Sequence, residues 1–271
     1  MIFFPNAKIN LGLQITEKRS DGFHNIETVF YPIPLCDILE FTEIKADKDE
    51  FVNLGLKIEG NFSDNLISKV INLLRKDFKI PSLKIAIYKK IPFGAGLGGG
   101  SSNASFMLKA LNENFSLNIS QNQLIEYAKQ IGSDCAFFIE NKPVFAKGKG
   151  DVFENITLKL KGYYLLLIKP DIHVNTALAY SGVNPQKPNF ELKNIIQNPI
   201  NTWKNIIIND FEKSIFEKFP KLENIKQTLY ANGAIYASMS GSGSTICGIF
   251  DKNPEISKTF DDCFVSVLVS E

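Results

Sequence analysis

The 271 residues carry 30 lysines and arginines against 29 aspartates and glutamates, and 44% of them are hydrophobic. This is the make-up of a folded chain of one large or two modest domains. Its scattered basic residues offer no patch for nucleic acid or an anionic membrane surface.

Residues 2–16 form an extended apolar segment broken by Pro5, Asn6 and Lys8, with none of the basic start and long apolar run of a secretion signal. Residues 19–25 read as a turn, and Ile26 to Phe41 resume a strand-like pattern across Pro32 and Pro34. Ile67, Val70, Ile71 and Leu74 share one face of a helix predicted over 65–78, capped by Asp64. Leu83, Ile85 and Ile87 alternate with Lys84, Ala86 and Tyr88 as a half-buried strand that Ile91-Pro92 ends. Ala104, Met107, Leu108 and Leu111 then mark a helix with Ser101 and Ser102 as plausible caps. Ser120 and Gln123 make a capping box for a helix that stops at Gly132. Residues 144–151 hold a Lys-Gly-Lys-Gly turn. Tyr163 to Lys169 is a buried strand closed by Pro170, and its apolar run is too short to span a bilayer. Residues 184–199, rich in Asn and Pro, read as loop. Helices are predicted over 206–218 and 222–232, the second stopped by Gly233. Strands follow around 235–239, 245–250 and 263–269. The elements mix without strict strand–helix alternation, which predicts an α+β protein in two halves, 1–155 and 156–271. The four cysteines, Cys36, Cys135, Cys247 and Cys263, have no C-x-x-C spacing and no histidine nearby. That excludes the usual zinc site and suits reduced thiols in a cytoplasmic protein.

Between the third strand and its helix, five of the seven residues 94–100 are glycine. Glycine accepts positive φ and lets another group come close. A helix start behind it offers unpaired N–H groups and the positive end of a dipole, so a nucleotide phosphate is the first expectation. The loop is not a P-loop, because Gly100 leads to Ser101 without the Gly-Lys-Ser/Thr ending. The pattern G-x-G-x-x-G occurs at Gly94, Gly96 and Gly99. The acidic residue a dinucleotide site wants about twenty positions on is met only by Glu113, at the helix end. The loop alone leaves kinase and dinucleotide enzyme open.

Other residues read two ways. Lys8, inside an apolar strand, either lies on a sheet edge or reaches water, a carboxylate or a phosphate. Asp134, before the apolar run Ala136 to Ile139, is a helix cap or a general base. Phe23 and Tyr180 are core aromatics or stacking partners. The run Ser240-Gly241-Ser242-Gly243-Ser244 is a hairpin turn or a second ligand loop.

Three segments settle the choice by their company: Pro5-Asn6-Ala7-Lys8-Ile9-Asn10-Leu11, the loop from Pro92 to Ala104, and Ser240 to Thr245. In this order and spacing they resemble the three motifs of the GHMP kinases, the galactokinase, homoserine, mevalonate and phosphomevalonate kinases. Asp21-Gly22-Phe23-His24, Ile131-Gly132-Ser133-Asp134 and Asn209-Asp210-Phe211-Glu212 are similar to the members that act on 4-diphosphocytidyl-2-C-methyl-D-erythritol. The resemblance covers nearly the whole chain.

It implies a two-domain fold, with an N-terminal ribosomal-protein-S5-like half and a C-terminal ferredoxin-like half. It implies ATP-dependent phosphorylation of the substrate's 2-hydroxyl, in the non-mevalonate route to isoprenoids. ATP would lie on Pro92, Phe93, Gly94, Ala95, Gly96, Leu97, Gly98, Gly99, Gly100, Ser101 and Ser102, with Mg2+ as its partner and no protein ligand assigned to the metal. Asp134 would be the base. Lys8 would keep it ionised and steady the hydroxyl and the moving phosphoryl group. Asn10 and Thr176 would make polar substrate contacts, and His24 would meet the cytosine edge. Phe23, where the family commonly has tyrosine, and Tyr180 would stack on the base. Gly241, Ser242 and Gly243 would face the substrate or phosphates. The expected partner is a small molecule, not nucleic acid or membrane, for a cytoplasmic monomer or weak homodimer. The competing readings are a GHMP kinase of the homoserine or mevalonate type, and a GHMP-fold binding protein without catalysis.

Overall fold

The computed structural model describes residues 1–58, 60–188, 190–255 and 260–270. Its strands are β1 (Ile2–Phe3), β2 (Asn6–Lys18), β3 (His24–Cys36), β4 (Ile38–Glu43), β5 (Glu50–Gly55), β6 (Leu83–Lys89), β7 (Val144–Lys147), β8 (Val152–Asn155), β9 (Tyr164–Pro170), β10 (Tyr236–Met239), β11 (Ile246–Phe250) and β12 (Cys263–Val269). Its α-helices are α1 (Leu66–Leu74), α2 (Gly99–Asn114), α3 (Gln121–Ile131), α4 (Phe137–Glu140), α5 (Thr176–Ser181), α6 (Leu192–Ile195), α7 (Phe211–Lys218) and α8 (Pro220–Ala231). The fold is α+β, and the chain forms two compact units. One comprises Met1–Ala7, Leu35–Phe93 and Gly98–Lys142; the other Lys8–Pro34, Gly94–Leu97 and Pro143–Glu271.

The first unit holds a sheet in the order β1-β4-β6-β5. β4 pairs antiparallel with β6, and β5 parallel with it. A parallel neighbour needs a crossover, and α1 supplies it. Along β6, Leu83, Ile85 and Ile87 are buried while Lys84 and Tyr88 are exposed, so the expected alternation holds. The helix predicted over 65–78 is shorter, and its cap is Asn65, whose side chain accepts from Ile67 N at 2.9 Å, not Asp64. α3 keeps the predicted box between Ser120 and Gln123 and ends at Gly132.

The second unit holds two sheets, β2-β3-β7-β8 and β10-β11-β9-β12. β9 is the continuous apolar strand, with Leu165, Leu166, Leu167 and Ile168 all buried and neighbours on both edges. Phe211 and Ile215 of α7 and Leu222, Ile225 and Leu229 of α8 join Leu166, Ile168, Met239 and Ile246 in one core cluster. Here the predicted boundaries move. The helix expected over 206–218 begins only at Phe211, and Ile207 and Asn209 are spent on tertiary contacts described below. Within the expected loop 184–199, of which residue 189 lies outside the described residues, α6 forms with Leu192 buried. Pro220 opens α8 at its first turn, where the missing N–H costs nothing.

Candidate active site

β2 ends its sheet, so one row of its N–H groups has no strand to bond. Three distant segments take that row up. Lys8 N donates to Leu97 O at 3.0 Å, and Asn10 N to Ser240 Oγ at 3.1 Å. Leu13 N donates to Ile208 O at 3.0 Å, and Ile15 N to Asp210 Oδ2 at 2.7 Å. The outward positions switch from even to odd across Gly12, whose φ is +67°. This is a bulge, and it turns the lower half of the strand toward the 208–210 segment. Any side chain at Gly12 would meet Ile207 Cγ2 at 2.8 Å.

The edge lysine is not a surface one. Lys8 is 3% exposed. Its Nζ donates to Asn10 Oδ1 at 2.6 Å and lies 4.7 Å from the Phe30 ring centroid. Lys8 and Asn10, two apart on a strand, share a face. Asn10 Nδ2 in turn donates to Thr28 Oγ1 at 3.0 Å, which fixes the amide with its oxygen toward the ammonium.

The glycine loop and the serine loop meet beside this pair. Ser240 Oγ donates to Gly96 O at 2.8 Å. A Cβ on Gly96, at φ +75°, would fall 2.0 Å from Ser240 O, so only glycine fits. A Cβ on Gly241 would come within 3.3 Å of Asn10 Oδ1. Asn209 Nδ2 holds the serine loop by bonds to Met239 O at 2.8 Å and Gly241 O at 2.7 Å. Thr176 Oγ1 stands 3.4 Å from Ser242 Oγ, which joins two predicted substrate residues. His173 lies under Gly94, where a Cβ would touch its Cε1 at 2.9 Å.

The predicted aromatics separate. His24 and Tyr180 stack on each other at 4.8 Å and 18°. Tyr180 also meets Phe211 edge-on at 4.9 Å and packs on the core cluster. Phe23 is 58% exposed, with Lys149 Nζ 5.0 Å from its ring, so it is not a core residue. Its turn is pinned by Arg19 and Asp21. Asp21 Oδ1 accepts from Phe23 N at 3.1 Å, and the hydrogen bond from Arg19 draws the Asp21 carboxyl below its ordinary range.

In the first unit, α2 starts at Gly99, two residues before the predicted caps, with Gly98 in the left-handed region at φ +68°. Ser101 and Ser102 are therefore first-turn residues. The N–H groups of Gly99, Gly100 and Ser101 have no carbonyl within their helix, whereas Ser102 N donates to Gly98 O at 2.9 Å. Ser102 Oγ is wholly buried and has no hydrogen-bond partner among the described residues, and the same holds for Thr245 Oγ1 in the second unit. Pro92 is buried and Phe93 exposed at the loop entry.

Asp37 clamps both sides of this loop entry. It accepts from Lys90 N and Ile91 N, each at 2.8 Å, from Asn103 Nδ2 at 2.9 Å, and from Lys89 Nζ. Lys89 and Asp37 are 3% and 0% exposed. Burial draws the Lys89 ammonium below the usual lysine range, and Asp37 pulls it back. A Cβ on Gly99 would reach Lys89 Nζ at 2.9 Å. Asp134 lies half-buried in the turn 133–136. It is not the cap of α4, a position held by Ala136.

Asp37, Lys89, Asn103, Thr28, His173 and the anchoring role of Asn209 were not legible as site features. The signal available for Asn209 was its place in Asn209-Asp210-Phe211-Glu212. Glu212 Oε1 accepts from Met239 N at 2.7 Å, so this tetrad orders the strand that leads into the serine loop.

Known proteins are similar to this chain over nearly all of its length. Residues 65–142 match the family model of the GHMP kinases N terminal domain, and residues 192–261 that of the GHMP kinases C terminal domain. A Bacteroides fragilis protein named 4-diphosphocytidyl-2-C-methyl-D-erythritol kinase is 55% identical over 260 residues, 95% of each chain. A crystal structure of 4-(cytidine 5'-diphospho)-2C-methyl-D-erythritol kinase superposes with a TM-score of 0.82 at 26% identity, covering 100% of both chains. The Methanococcus jannaschii mevalonate kinase shares the fold, with a TM-score of 0.73 at 16% identity, covering 100% of this chain and 98% of the other.

Proposed function

The chain belongs to the 4-diphosphocytidyl-2-C-methyl-D-erythritol kinases of the GHMP family, and from that we propose how its own residues carry the reaction. It is a small-molecule kinase that moves the γ-phosphate of ATP to the 2-hydroxyl of 4-diphosphocytidyl-2-C-methyl-D-erythritol, a step of isoprenoid synthesis. The homoserine and mevalonate readings give way to relatives of that name at 55% identity over nearly the whole chain. The two family models fall one in each proposed domain, 1–155 and 156–271.

Phosphoryl transfer asks for positioning and charge stabilisation. Residues 92–102 hold the ATP phosphates on loop and first-turn N–H groups. Asp134 takes the proton of the 2-hydroxyl as the new P–O bond forms and the β–γ bridge breaks. Lys8 stabilises the carboxylate and the charge on the moving phosphoryl group. The observation that carries its role is burial of an ammonium on a sheet edge, held by Asn10 Oδ1 beside Gly241. Asn10, Thr176, Ser242, Gly241 and Gly243 orient the acceptor end of the substrate. His24, Tyr180 and Phe23 take the cytosine, Phe23 by its exposed ring.

Among the described residues no three His, Cys, Asp or Glu side chains gather as a metal site. The orphan buried hydroxyl of Ser102 is the protein oxygen at hand for Mg2+ arriving on the nucleotide, where phosphate oxygens would be its main ligands. When bound, the ion would neutralise charge on the transferring phosphate. No helix among the described residues is long and apolar enough to cross a membrane. All four cysteines are free, which suits a reducing cytoplasm. We take the working form to be a monomer or weak homodimer. ADP release with ATP and the cytidylyl substrate tests the assignment. Release with homoserine or mevalonate but not with that substrate would refute it.

A further inference from the structure

We propose that Lys109 and Ser105 of α2 are positioning residues for Asp134: they tie its turn to the helix whose first turn carries the phosphate loop. This rests on reading Asp134 as the base.

Ser101, Ser105 and Lys109 recur at four-residue spacing and so line one face of α2. Ser105 Oγ lies 2.7 Å from Cys135 O and 2.9 Å from Ser101 O. The hydroxyl has one hydrogen, and the shorter distance favours Cys135, the residue after Asp134. Cys135 O also accepts from Phe138 N at 3.1 Å, so both of its lone pairs are used. One turn further along α2, Lys109 Nζ donates to Phe138 O at 2.9 Å and approaches Ile139 O at 3.5 Å. It also lies 4.1 Å from the Phe106 ring centroid. These carbonyls belong to α4, a helix of four residues whose last carbonyls have no partner within it. An ammonium at that end meets both the orphan oxygens and the negative dipole end. Burial draws the Lys109 ammonium down to about 8, so the charge is kept out of water at a cost. A helix this short does not hold itself together in isolation. The turn 133–136 is thus secured at one side by the end of α3 at Gly132, and at the other, through Cys135 and α4, by contacts from α2. One rigid helix then sets both the phosphate cradle and the base.

Steady-state kinetics with ATP and the cytidylyl substrate test this on Lys109→Met, Lys109→Arg and Ser105→Ala. A displaced base should lower kcat about tenfold in Lys109→Met, the usual scale for losing a residue that orients a functional group. Ser105→Ala should show a smaller fall and Lys109→Arg a partial recovery, with KM for ATP within about twofold throughout. In an Asp134→Ala background, Lys109→Met should cost nothing more, because residues acting as a unit are not additive. Wild-type kcat in both Lys109→Met and Ser105→Ala overturns the proposal, and so does a Lys109 loss that adds in full to that of Asp134→Ala. If Lys109→Met does not fold by circular dichroism, Ser105→Ala decides alone: a lowered kcat supports the proposal and an unchanged one overturns it. Full activity in Asp134→Ala by itself would instead remove the base assignment on which the proposal rests.

Discussion

Lys8 and Lys89 are each 3% exposed, and each sits in a strand, yet they are held differently. Lys89 points its charge at Asp37, which also gathers Lys90 N, Ile91 N and Asn103 Nδ2. Every group in that cluster belongs to the frame of the glycine loop. Lys8 donates to the amide oxygen of Asn10, beside Gly241 and the Gly96–Ser240 contact. The difference teaches that burial of a lysine does not mark it as catalytic. Lys89 is committed to a scaffold carboxylate, and Lys8 lies where the Gly96 and Ser240 loops meet.

The strongest way to break this division is Asp134→Asn. If Lys8 serves a base, removal of that base should lower kcat by about a thousandfold, within the range for general acid–base catalysis. Nucleotide affinity, measured by calorimetric titration, should hold. Retained turnover would leave Lys8 without its proposed task and return both lysines to the scaffold.

The two lysines can then be exchanged in the same assay. Lys8→Met should cost about a hundredfold in kcat, on the scale of losing a preorganised charge donor, with the urea unfolding midpoint little changed. Lys89→Met leaves Asp37 buried without its cation, and breaking such a pair costs about 3–5 kcal/mol of stability. Its unfolding midpoint should fall while kcat of the remaining folded enzyme stays within a few-fold. The reverse outcome, Lys8 stabilising and Lys89 catalytic, would invert the comparison.

The sequence carried one side of this contrast far better than the other. The strand, loop and helix around residues 83–111 are legible because alternation in β6 and the apolar face of α2 are local patterns. The motifs at Lys8, Asp134 and Ser240 are legible only as resemblance, because nothing local distinguishes an edge lysine or a serine-rich turn from a working one. The closure of β2 by Leu97, Ser240 and Asp210 joins residues up to 230 positions apart, and no window of sequence contains it. Ile206, Ile207 and Ile208 mimic a helix start. Tertiary contact overrides that preference, since Ile207 packs over Gly12 and Asn209 bridges to Leu13. Asp37 sits in a strand connection where a charged residue is unremarkable. Its four bonds appear only when the ends of β6 and α2 are brought to it.

Two glycines sharpen the contrast between frame and ligand surface. Gly96→Ala forces a Cβ to 2.0 Å from Ser240 O at φ +75°, so the serine loop must move. The expected result is a rise of about tenfold in KM for ATP, together with loss of stability. At Gly100 the nearest atom to a Cβ is Leu66 Cδ1 at 3.9 Å, and the protein itself accommodates alanine. Any rise in KM for ATP in Gly100→Ala therefore reports the nucleotide and not the fold. Equal stability losses in the two variants would show that the loop is packed as scaffold throughout.

The smallest expected effect tests the aromatic end, away from either lysine. His24 stacks on Tyr180 at 4.8 Å, while Phe23 stays exposed. A base entering here gains stacking worth about 1–3 kcal/mol, which is about five- to 150-fold in affinity. His24→Ala removes one ring and leaves Tyr180 packed on Phe211, so the low end applies: KM for the cytidylyl substrate should rise about fivefold to tenfold at unchanged KM for ATP. Phe23→Ala separates the two aromatics. A comparable rise makes the exposed ring a second stacking face. No rise confines cytosine binding to the His24–Tyr180 pair and leaves Phe23 as a turn residue under Lys149.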